Sequence, residues 1–426
     1  MVVNRPLSIL IVAIGSTGDI HPNIGLGLAL KKRGHKVSLI ANSYFEKLII
    51  NSGLRHIALG SVKDYIKISE NPAIWSPKEG FEAMAEMLIN LMKPLYQIIK
   101  DEYVPDETVI TGSNFAIGAR VASEKLKIPM ASVYISPAAI RSIHDQIPIM
   151  ALPEVSRYFP SAIKKFVFVA VDYFVMDKVL TPSINSFRSE LALSPIRNIF
   201  GKWIHSPQMV IGLFPNWFAP PQIDWPPNTY LTGFPLFDPI ELGGDWVNVE
   251  RFISNDPPIV FAACSIKKDL KEFFEVSVEV CRILKRRGIF ICKFSEYIPT
   301  DLPDYTRHFH YIPFAKLLPK SVALVHQGSL GNAAQALRAG IPQLTMPEAL
   351  DHPEIADRLN RLGVGLSIKP DKYQAHKVAD GLKYLLESPV VTKNCRFISG
   401  KIKEEESLSE ASRLIEQLSK TTKEEV

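Results

Sequence analysis

The chain has 426 residues, of which 46% are hydrophobic and 22% are charged, and its net charge is +5. At roughly 150 residues per domain, this length predicts two or three domains and excludes a single small module. The composition is too apolar for a disordered protein, and a weak positive charge without a long basic tract argues against nucleic-acid binding.

The first half alternates short apolar runs with helical patterns. Leu7–Ile14 predicts a buried strand, and Pro22–Arg33 predicts a helix that ends before Gly34. Further strands are predicted at Lys36–Ala41, Thr108–Thr111 and Met130–Ile135. This alternation is typical of βαβ units in a parallel sheet.

The same order restarts after residue 250. Pro258–Ala263 predicts a strand, Leu270–Arg287 a helix and Ile289–Phe294 the next strand. Later strands are predicted at His310–Ile312, Ala323–Val325 and Gln343–Met346. KKRG before one strand and KRRG before another indicate two similar α/β halves, although any βαβ unit can end in this way.

A proline-rich stretch, Phe214–Asp238, separates the halves and disfavours regular helix. We therefore predict an N-terminal Rossmann-like domain (1–235), a linker (236–256), a C-terminal Rossmann-like domain (257–400) and a helical tail (401–426) that can pack back on the N-terminal domain. Ligands of parallel sheets bind at the carboxyl ends of the strands, so two facing domains would share a cleft.

No segment of the sequence predicts a membrane span or a signal peptide. Leu7–Ile14 is far shorter than the roughly 20 apolar residues that a span needs, and Asp172 and Asp177 interrupt the next apolar stretch. The four cysteines form no CxxC pair and no zinc-type cluster, so they suit a reducing compartment. We expect a cytoplasmic protein.

The first candidate motif is the turn Gly15, Ser16, Thr17, Gly18, followed by Asp19. Glycines allow a ligand to approach the backbone, and the helix that follows offers free N–H groups to a phosphate. Asp19 is a candidate general base. The alternative is a carboxylate that caps the helix or lies in its first turn.

The second motif is His326-Gln-Gly-Ser-Leu-Gly-Asn332, at another junction of strand and helix. Its glycines and helix start suit a pyrophosphate, to which His326 could donate a hydrogen bond. The alternative is a satisfied, buried histidine in a tight turn.

A third motif, Asp351 and His352, follows a strand and precedes a helix. These side chains could bind sugar hydroxyls, or they could simply cap that helix.

Together these motifs resemble those of a known family. The two α/β halves, the early glycine-rich turn and the sequence HQGSLGNAAQALRAGIPQLTMPEALDHPEIADRLNRLGVG resemble those of GT-B glycosyltransferases of family 1, the UDP-glycosyltransferase superfamily. Within it, AIGSTGDIHPNIGLGLALKKRGHKVSL, HSPQMVIGLFPNWFAPPQIDWP and TGFPLFD resemble the bacterial rhamnosyltransferases that form rhamnolipid. The resemblance runs from about residue 7 to residue 370.

This resemblance implies an inverting transfer from a nucleotide-sugar, with Asp19 as the base and His21 as a weaker candidate. It implies no metal and no cofactor beyond the donor. The residues that it assigns to donor binding are Ser265, Tyr311, Phe314, His326, Gly328, Ser329, Gly331, Asn332, Asp351 and His352.

Several positions depart from the family pattern. The usual phosphate-binding histidine aligns with Gln327, while His326 stands one residue earlier. Other departures are Cys264 and Ile266 beside Ser265, Ser329 for a glycine, His352 for a glutamine, and Gln335 for an acidic ribose contact. Because of these departures, the resemblance does not decide which sugar is transferred or whether the activity is weakened.

The inserts Ser61–Tyr103 and Ala138–His205 are rich in large apolar residues. Their pattern suits either core helices or the lining of a binding site for a hydrophobic acceptor. Lys164 and Lys165 beside Phe166 and Phe168 could also give a weak peripheral contact with a membrane, provided that the helix face is exposed.

The sequence thus predicts a two-domain α/β enzyme of GT-B type. Its expected reaction moves a hexose or deoxyhexose from a UDP- or dTDP-sugar to a hydroxyl of a hydrophobic acceptor, such as a lipid, a sterol or a secondary metabolite. Two alternatives remain: a catalytically weakened binding subunit that keeps nucleotide affinity, and a nucleotide-sugar epimerase that needs no acceptor.

Overall fold

A computed structural model describes residues 5–71, 73, 77–145, 154–238, 246–253, 256–263, 270–402 and 404–421. The chain divides into two units. The first unit holds Met1–Pro235 together with Glu404–Val426, and the second holds Leu236–Lys403. Each unit is an α/β layer structure around a parallel sheet, which confirms the predicted fold class.

The sheet of the first unit has seven parallel strands. They are β1 (Ser8–Val12), β2 (Lys36–Ala41), β3 (Arg55–Ala58), β4 (Thr108–Gly112), β5 (Met130–Tyr134), β6 (Met209–Gly212) and β7 (Thr229–Leu231). Their spatial order is β3-β2-β1-β4-β5-β6-β7. The central strand β1 pairs with β2 and β4, so that Ile9 lies between Val37 and Val109.

In the part of residues 5–235 that the structure describes, seven α-helices accompany this sheet. They are α1 (Thr17–Lys32), α2 (Glu46–Asn51), α3 (Val62–Ser69), α4 (Pro77–Glu102), α5 (Ile117–Leu126), α6 (Ser161–Val171) and α7 (Asp177–Glu190). Helix α1 begins earlier than the predicted Pro22, because Ser16 and Asp19 cap it.

The long helix α4 belongs to the core of the first unit. Leu88, Met92, Leu95 and Ile99 recur at helical spacing and are almost completely buried against β1, β4 and α5. For this part of the first apolar insert, the core alternative is therefore the correct one.

The second unit contains a six-stranded parallel sheet. Its strands are β8 (Ile259–Ala262), β9 (Gly288–Ile291), β10 (Thr306–Phe309), β11 (Ala323–His326), β12 (Gln343–Thr345) and β13 (Gly365–Ser367), in the spatial order β10-β9-β8-β11-β12-β13. The strand predicted at His310–Ile312 is wrong. The chain pairs with β9 through the preceding residues, and Ile312 is buried in the core rather than in the ladder.

The helices of the second unit are α8 (Trp246–Ile253), α9 (Lys271–Leu284), α10 (Phe314–Leu317), α11 (Leu330–Ala339), α12 (His352–Arg361), α13 (Ala375–Glu387) and α14 (Pro389–Lys401). Helix α8 lies in the predicted linker, yet its Val249 and Phe252 form part of the core. Residues 246–253 are therefore structured parts of the second unit. Among all the residues described, no helix is long and apolar enough to cross a bilayer.

The last helix, α15 (Glu404–Thr421), returns to the first unit. Its Ile415 and Leu418 are buried, and the carboxylate of Glu416 accepts hydrogen bonds from Arg33, the residue that ends α1. The side chain of His35 also hydrogen-bonds Glu416. The far end of the chain thus fastens the helix that carries Asp19.

Candidate functional site

The two sheets share one topology. In each, the first strand of the unit lies beside its second strand on one side and its fourth on the other, so the chain reverses its direction of progress there. Ligands of such sheets bind outside the carboxyl ends of the strands at this switch point. The turn after β1 and the turn after β11 both leave the sheets at such a place, and both carry predicted site residues.

Asp19 closes a capping box at the start of α1. Its Oδ2 atom accepts the Ser16 backbone N–H at 2.8 Å, and the Ser16 hydroxyl accepts from the Gly18 backbone N–H at 3.2 Å. The capping alternative is thus observed. Asp19 remains half-buried rather than sealed in the core, so the same carboxylate keeps access to a ligand.

Gly15 allows this approach. Its φ of 140° lies in the region that side chains rarely adopt, and a Cβ atom there would lie 2.2 Å from Asp19 Oδ2. The backbone at Gly15 and the carboxylate of Asp19 can therefore coexist only because residue 15 has no side chain.

His21 follows Asp19 on the same helix. Burial lowers the pKa of its imidazole to about 4, so the ring is neutral at neutral pH. An imidazole of this low pKa is a weak base.

His326 ends β11 and is completely buried. Its Nδ1 atom accepts the Gly328 backbone N–H at 3.1 Å, and its Nε2 atom lies 3.0 Å from Gln343 Oε1. Burial lowers its pKa to about 3, so the ring is neutral and its one proton lies on Nε2. Both ring nitrogens have a hydrogen-bond partner within the protein, as in the alternative of a satisfied histidine that holds the turn. In this arrangement His326 has no ring nitrogen left to donate to a phosphate.

The N-terminus of α11 is shaped for an anion. Ser329 is its N-cap residue but makes no side-chain capping bond, and Gly331 in the first turn has nothing within 4 Å of where a Cβ atom would lie. Asn332 follows and is half-buried. Deeper in the helix, the Oε1 atom of Gln335 is buried and has no hydrogen-bond partner in the described part of the chain. Within the described residues, helix α11 thus combines an N-terminus without a side-chain cap, open space at Gly331 and the unpaired acceptor atom of Gln335.

The second and third motifs meet at Gly328. Its φ is 102°, and a Cβ atom there would lie 3.0 Å from the His352 carbonyl oxygen. His352 is buried, whereas Asp351 at the N-cap of α12 is half-buried and makes no capping bond with its side chain. Asp351 therefore does not serve the capping role that was its alternative.

The loop before α10 is held by an acidic residue that the sequence analysis did not single out. The Tyr311 hydroxyl donates to Asp238, whose other oxygen accepts the Ala315 backbone N–H at 2.7 Å. Burial, and then the Asp238 charge, raise the pKa of Tyr311 far above its usual value. Phe314 packs against the core of the second unit. Tyr311 and Phe314 are both half-buried.

Other predicted residues have different outcomes. Ser265 lies outside the described residues, as do Cys264 and Ile266. Gln327 is buried and donates from Nε2 to Glu348 at 3.0 Å. The contacts of Asp238, Gln343 and Glu348 could not be predicted, because no local pattern shows which distant side chain will meet a turn.

Comparison with known proteins agrees with the two-unit α/β fold. The glycosyltransferase family 28 N-terminal domain matches residues 9–144, and the erythromycin biosynthesis protein CIII-like C-terminal domain matches residues 293–416. Solved glycosyltransferase structures align with nearly the whole chain; the structure of glycosyltransferase VinC in complex with dTDP, 16% identical, covers 97% of this chain and 100% of its own, with a TM-score of 0.70. The chain has the GT-B glycosyltransferase fold.

The relatives found by sequence differ in how much of their own length this chain covers. A sterol 3-beta-glucosyltransferase of Arabidopsis thaliana is 23% identical, over 90% of this chain but only 61% of its own length. O-mycaminosyltylonolide 6-deoxyallosyltransferase of Streptomyces fradiae is 24% identical, over 97% of this chain and 98% of its own. The chain thus spans about three fifths of the Arabidopsis relative and nearly all of the Streptomyces relative.

Proposed function

We propose that this protein is an inverting glycosyltransferase that moves a hexose or deoxyhexose from a UDP- or dTDP-sugar to a hydroxyl of a hydrophobic acceptor. The observation that carries the proposal is the pair of switch-point sites. One presents a carboxylate, Asp19, at the start of α1, and the other presents a helix start without a side-chain cap at α11.

On the donor side, the diphosphate of the nucleotide-sugar would bind the N-terminus of α11. The Gly331 position leaves room for phosphate oxygens, and the backbone N–H groups of the first turn can donate to them. The buried Oε1 atom of Gln335 would accept from a ribose hydroxyl, and Asp351 would accept from hydroxyls of the sugar. Ser265 and Tyr311 are proposed to complete this site.

On the acceptor side, Asp19 takes the proton of the attacking hydroxyl. The acceptor oxygen forms a bond to the anomeric carbon while the bond from that carbon to the phosphate oxygen breaks, and the nucleoside diphosphate leaves with the electron pair. The partial positive charge at the N-terminus of α11 stabilises the charge that grows on the leaving group. This chemistry inverts the anomeric centre and needs no metal.

The names of the relatives support a hydrophobic acceptor. One is a sterol 3-beta-glucosyltransferase, another is an O-mycaminosyltylonolide 6-deoxyallosyltransferase, and VinC was solved with dTDP. They do not choose between UDP and dTDP. Membership in family 1 and the closer likeness to rhamnolipid-forming rhamnosyltransferases stay predictions.

We also propose that the enzyme works in the cytoplasm. Cys281, Cys292 and Cys395 are free and buried, and burial raises the pKa of Cys281 and of Cys395 to about 12, so they remain thiols. Free thiols fit a reducing compartment.

The test is the release of nucleoside diphosphate from a panel of UDP- and dTDP-sugars, with and without sterol, hydroxy-fatty-acid and macrolide acceptors. We expect release that depends on an acceptor, with the product carrying the sugar in inverted configuration. Binding of UDP or dTDP without turnover in any pair would favour the weakened binding subunit. Interconversion of two nucleotide-sugars without acceptor would favour the epimerase.

A further inference from the structure

An exposed apolar face lies on α6 and on the π-helical turn, Asp172–Met176, that joins it to α7. Its members are between 46% and 74% exposed and recur at helical spacing: Ile163, Phe166, Val169, Tyr173 and Phe174. We refer to these five residues as the apolar face. A contiguous apolar patch of this kind on a protein surface marks an interaction site rather than ordinary exposure.

The opposite side of the same helix is anchored to the protein. Lys164 is buried and donates to the Asp145 carbonyl oxygen at 2.6 Å, while Asp172 accepts from Arg141 at 2.9 Å. The Arg141 guanidinium also lies over the Phe168 ring. Residues 164, 168 and 172 thus hold the helix on the segment that follows β5, so the apolar face is turned outward on a fixed support. Lys164 and Phe168, which the sequence suggested for a membrane contact, belong to this inner side.

Within the stretch that carries the apolar face, the exposed ionic side chains have one sign. In the stretch 155–178, all of which is described, the exposed ionic side chains are Lys165 and Lys178. Asp172 is buried against Arg141, and Asp177 accepts the backbone N–H groups of Asn198 and Ile199 at 2.7 and 3.0 Å. Both carboxylates are thus engaged by other groups of the protein, and the exposed side chains of the stretch include the apolar face and two flanking lysines.

We propose that the apolar face docks on an anionic lipid bilayer, with α6 lying in the plane of the interface. An amphipathic helix with aromatic and aliphatic residues on one side and lysines at its edge binds a membrane surface by burying the apolar side and attracting anionic headgroups. Aromatic side chains such as Tyr173 suit the level of the headgroups. The helix rests on the segment after β5, at the carboxyl edge of the sheet that also carries Asp19, so docking brings lipid to the side of the first unit where we place the acceptor.

The experiment is flotation of the full-length protein with vesicles of phosphatidylcholine, alone or mixed with phosphatidylglycerol. We expect binding to the anionic vesicles that weakens with salt. The double variant Phe166→Ser/Phe174→Ser should lower the partition coefficient at least about tenfold, because two exposed rings lose their place in the interface. The matched control Tyr384→Ser/Phe397→Ser removes two rings of similar exposure from the second unit and should bind like wild type.

Charge reversal gives an independent measure. Lys165→Glu/Lys178→Glu should lose binding to anionic vesicles about tenfold or more and keep whatever binding neutral vesicles show. Wild-type protein that stays unbound in anionic vesicles overturns the proposal, as does equal flotation of wild type and the phenylalanine double variant. Sedimentation in the absence of lipid identifies a rival occupant: a dimer that Phe166→Ser/Phe174→Ser dissociates would show that a second copy covers the face. Lipid binding is measured without turnover, so its result is separate from that of the transferase proposal.

Discussion

Glu416 should stabilise the first unit more than any exposed charge on the same helix. Its carboxylate, 9% exposed, accepts from Arg33 Nε at 2.6 Å and Nη2 at 2.8 Å, and it lies 2.8 Å from His35 Nε2. The His35 Nδ1 atom accepts the Leu7 backbone N–H, so the neutral ring carries its proton on Nε2 and donates to Glu416. One side chain thus joins α15 to the end of α1 and to the start of β2.

The expected loss follows from these contacts. Glu416→Ala leaves the buried His35 Nε2–H without an acceptor, which costs about 1–3 kcal/mol. Loss of the Arg33 pair, in which Arg33 is 37% exposed, adds about 0.5–1 kcal/mol. A total of about 3 kcal/mol corresponds to a fall in Tm of about 6–12 °C for a unit of this size.

Thermal unfolding followed by circular dichroism measures this loss, with Glu410→Ala as the control. Glu410 pairs with Arg413 on the exposed side of α15, so its removal should change stability by at most about 0.5 kcal/mol. The hydrogen bond from Arg33 is the main cause that lowers the pKa of Glu416. The stabilisation by Glu416 is therefore present above the pKa of a glutamate in the unfolded chain, about 4.3. It is lost as the pH falls through the lower pKa of Glu416 in the folded protein. Equal melting of the two variants, or a destabilisation by Glu416→Ala that grows on acidification, would show that Glu416 does not stabilise the first unit in this way.

Three further predictions concern the site. Gly331→Ala should melt at the wild-type temperature or slightly higher but raise the KM for the donor about tenfold, since the added methyl enters the open space at α11. The control Gly400→Ala, also in open space, should change neither the melting temperature nor the KM. An unaltered donor KM for Gly331→Ala would show that the diphosphate does not bind at this helix. Gly15→Ala should lower kcat at least about tenfold with donor binding intact, because its Cβ would displace Asp19 Oδ2; unchanged kcat would contradict this. Turnover should persist in excess EDTA, because α11 supplies the positive charge; a loss that added Mg²⁺ restores would show a metal requirement.

The sequence predicted the elements whose apolar runs lie at the centre of each sheet. β1, β2, β8 and β11 form where short stretches rich in Val, Ile, Leu or Phe occur, because a strand buried on both faces needs mostly apolar residues. Edge strands such as β3 and β13 are short and polar, so the same criterion missed them. Ile312 shows the opposite error, since an apolar residue can fill a core from a loop.

For the site, local patterns located the turns but not their partners. Gly15 and Gly328 mark tight turns at the ends of strands, and both have positive φ. The alternatives for His326 and Asp19 could be decided only by residues far along the chain or by the geometry of the turn itself. Gln343 engages His326 from the next strand, and no periodicity in the sequence indicates that contact.

The most direct test of the account is acceptor-dependent release of nucleoside diphosphate by Asp19→Asn. The amide retains an oxygen that can accept the Ser16 N–H, so the capping box and the melting temperature should be nearly preserved, while the base is lost. We expect a fall in kcat of about 10²–10⁴-fold with donor binding unchanged. A folded Asp19→Asn protein that turns over like wild type would contradict the assignment of Asp19 as the catalytic base.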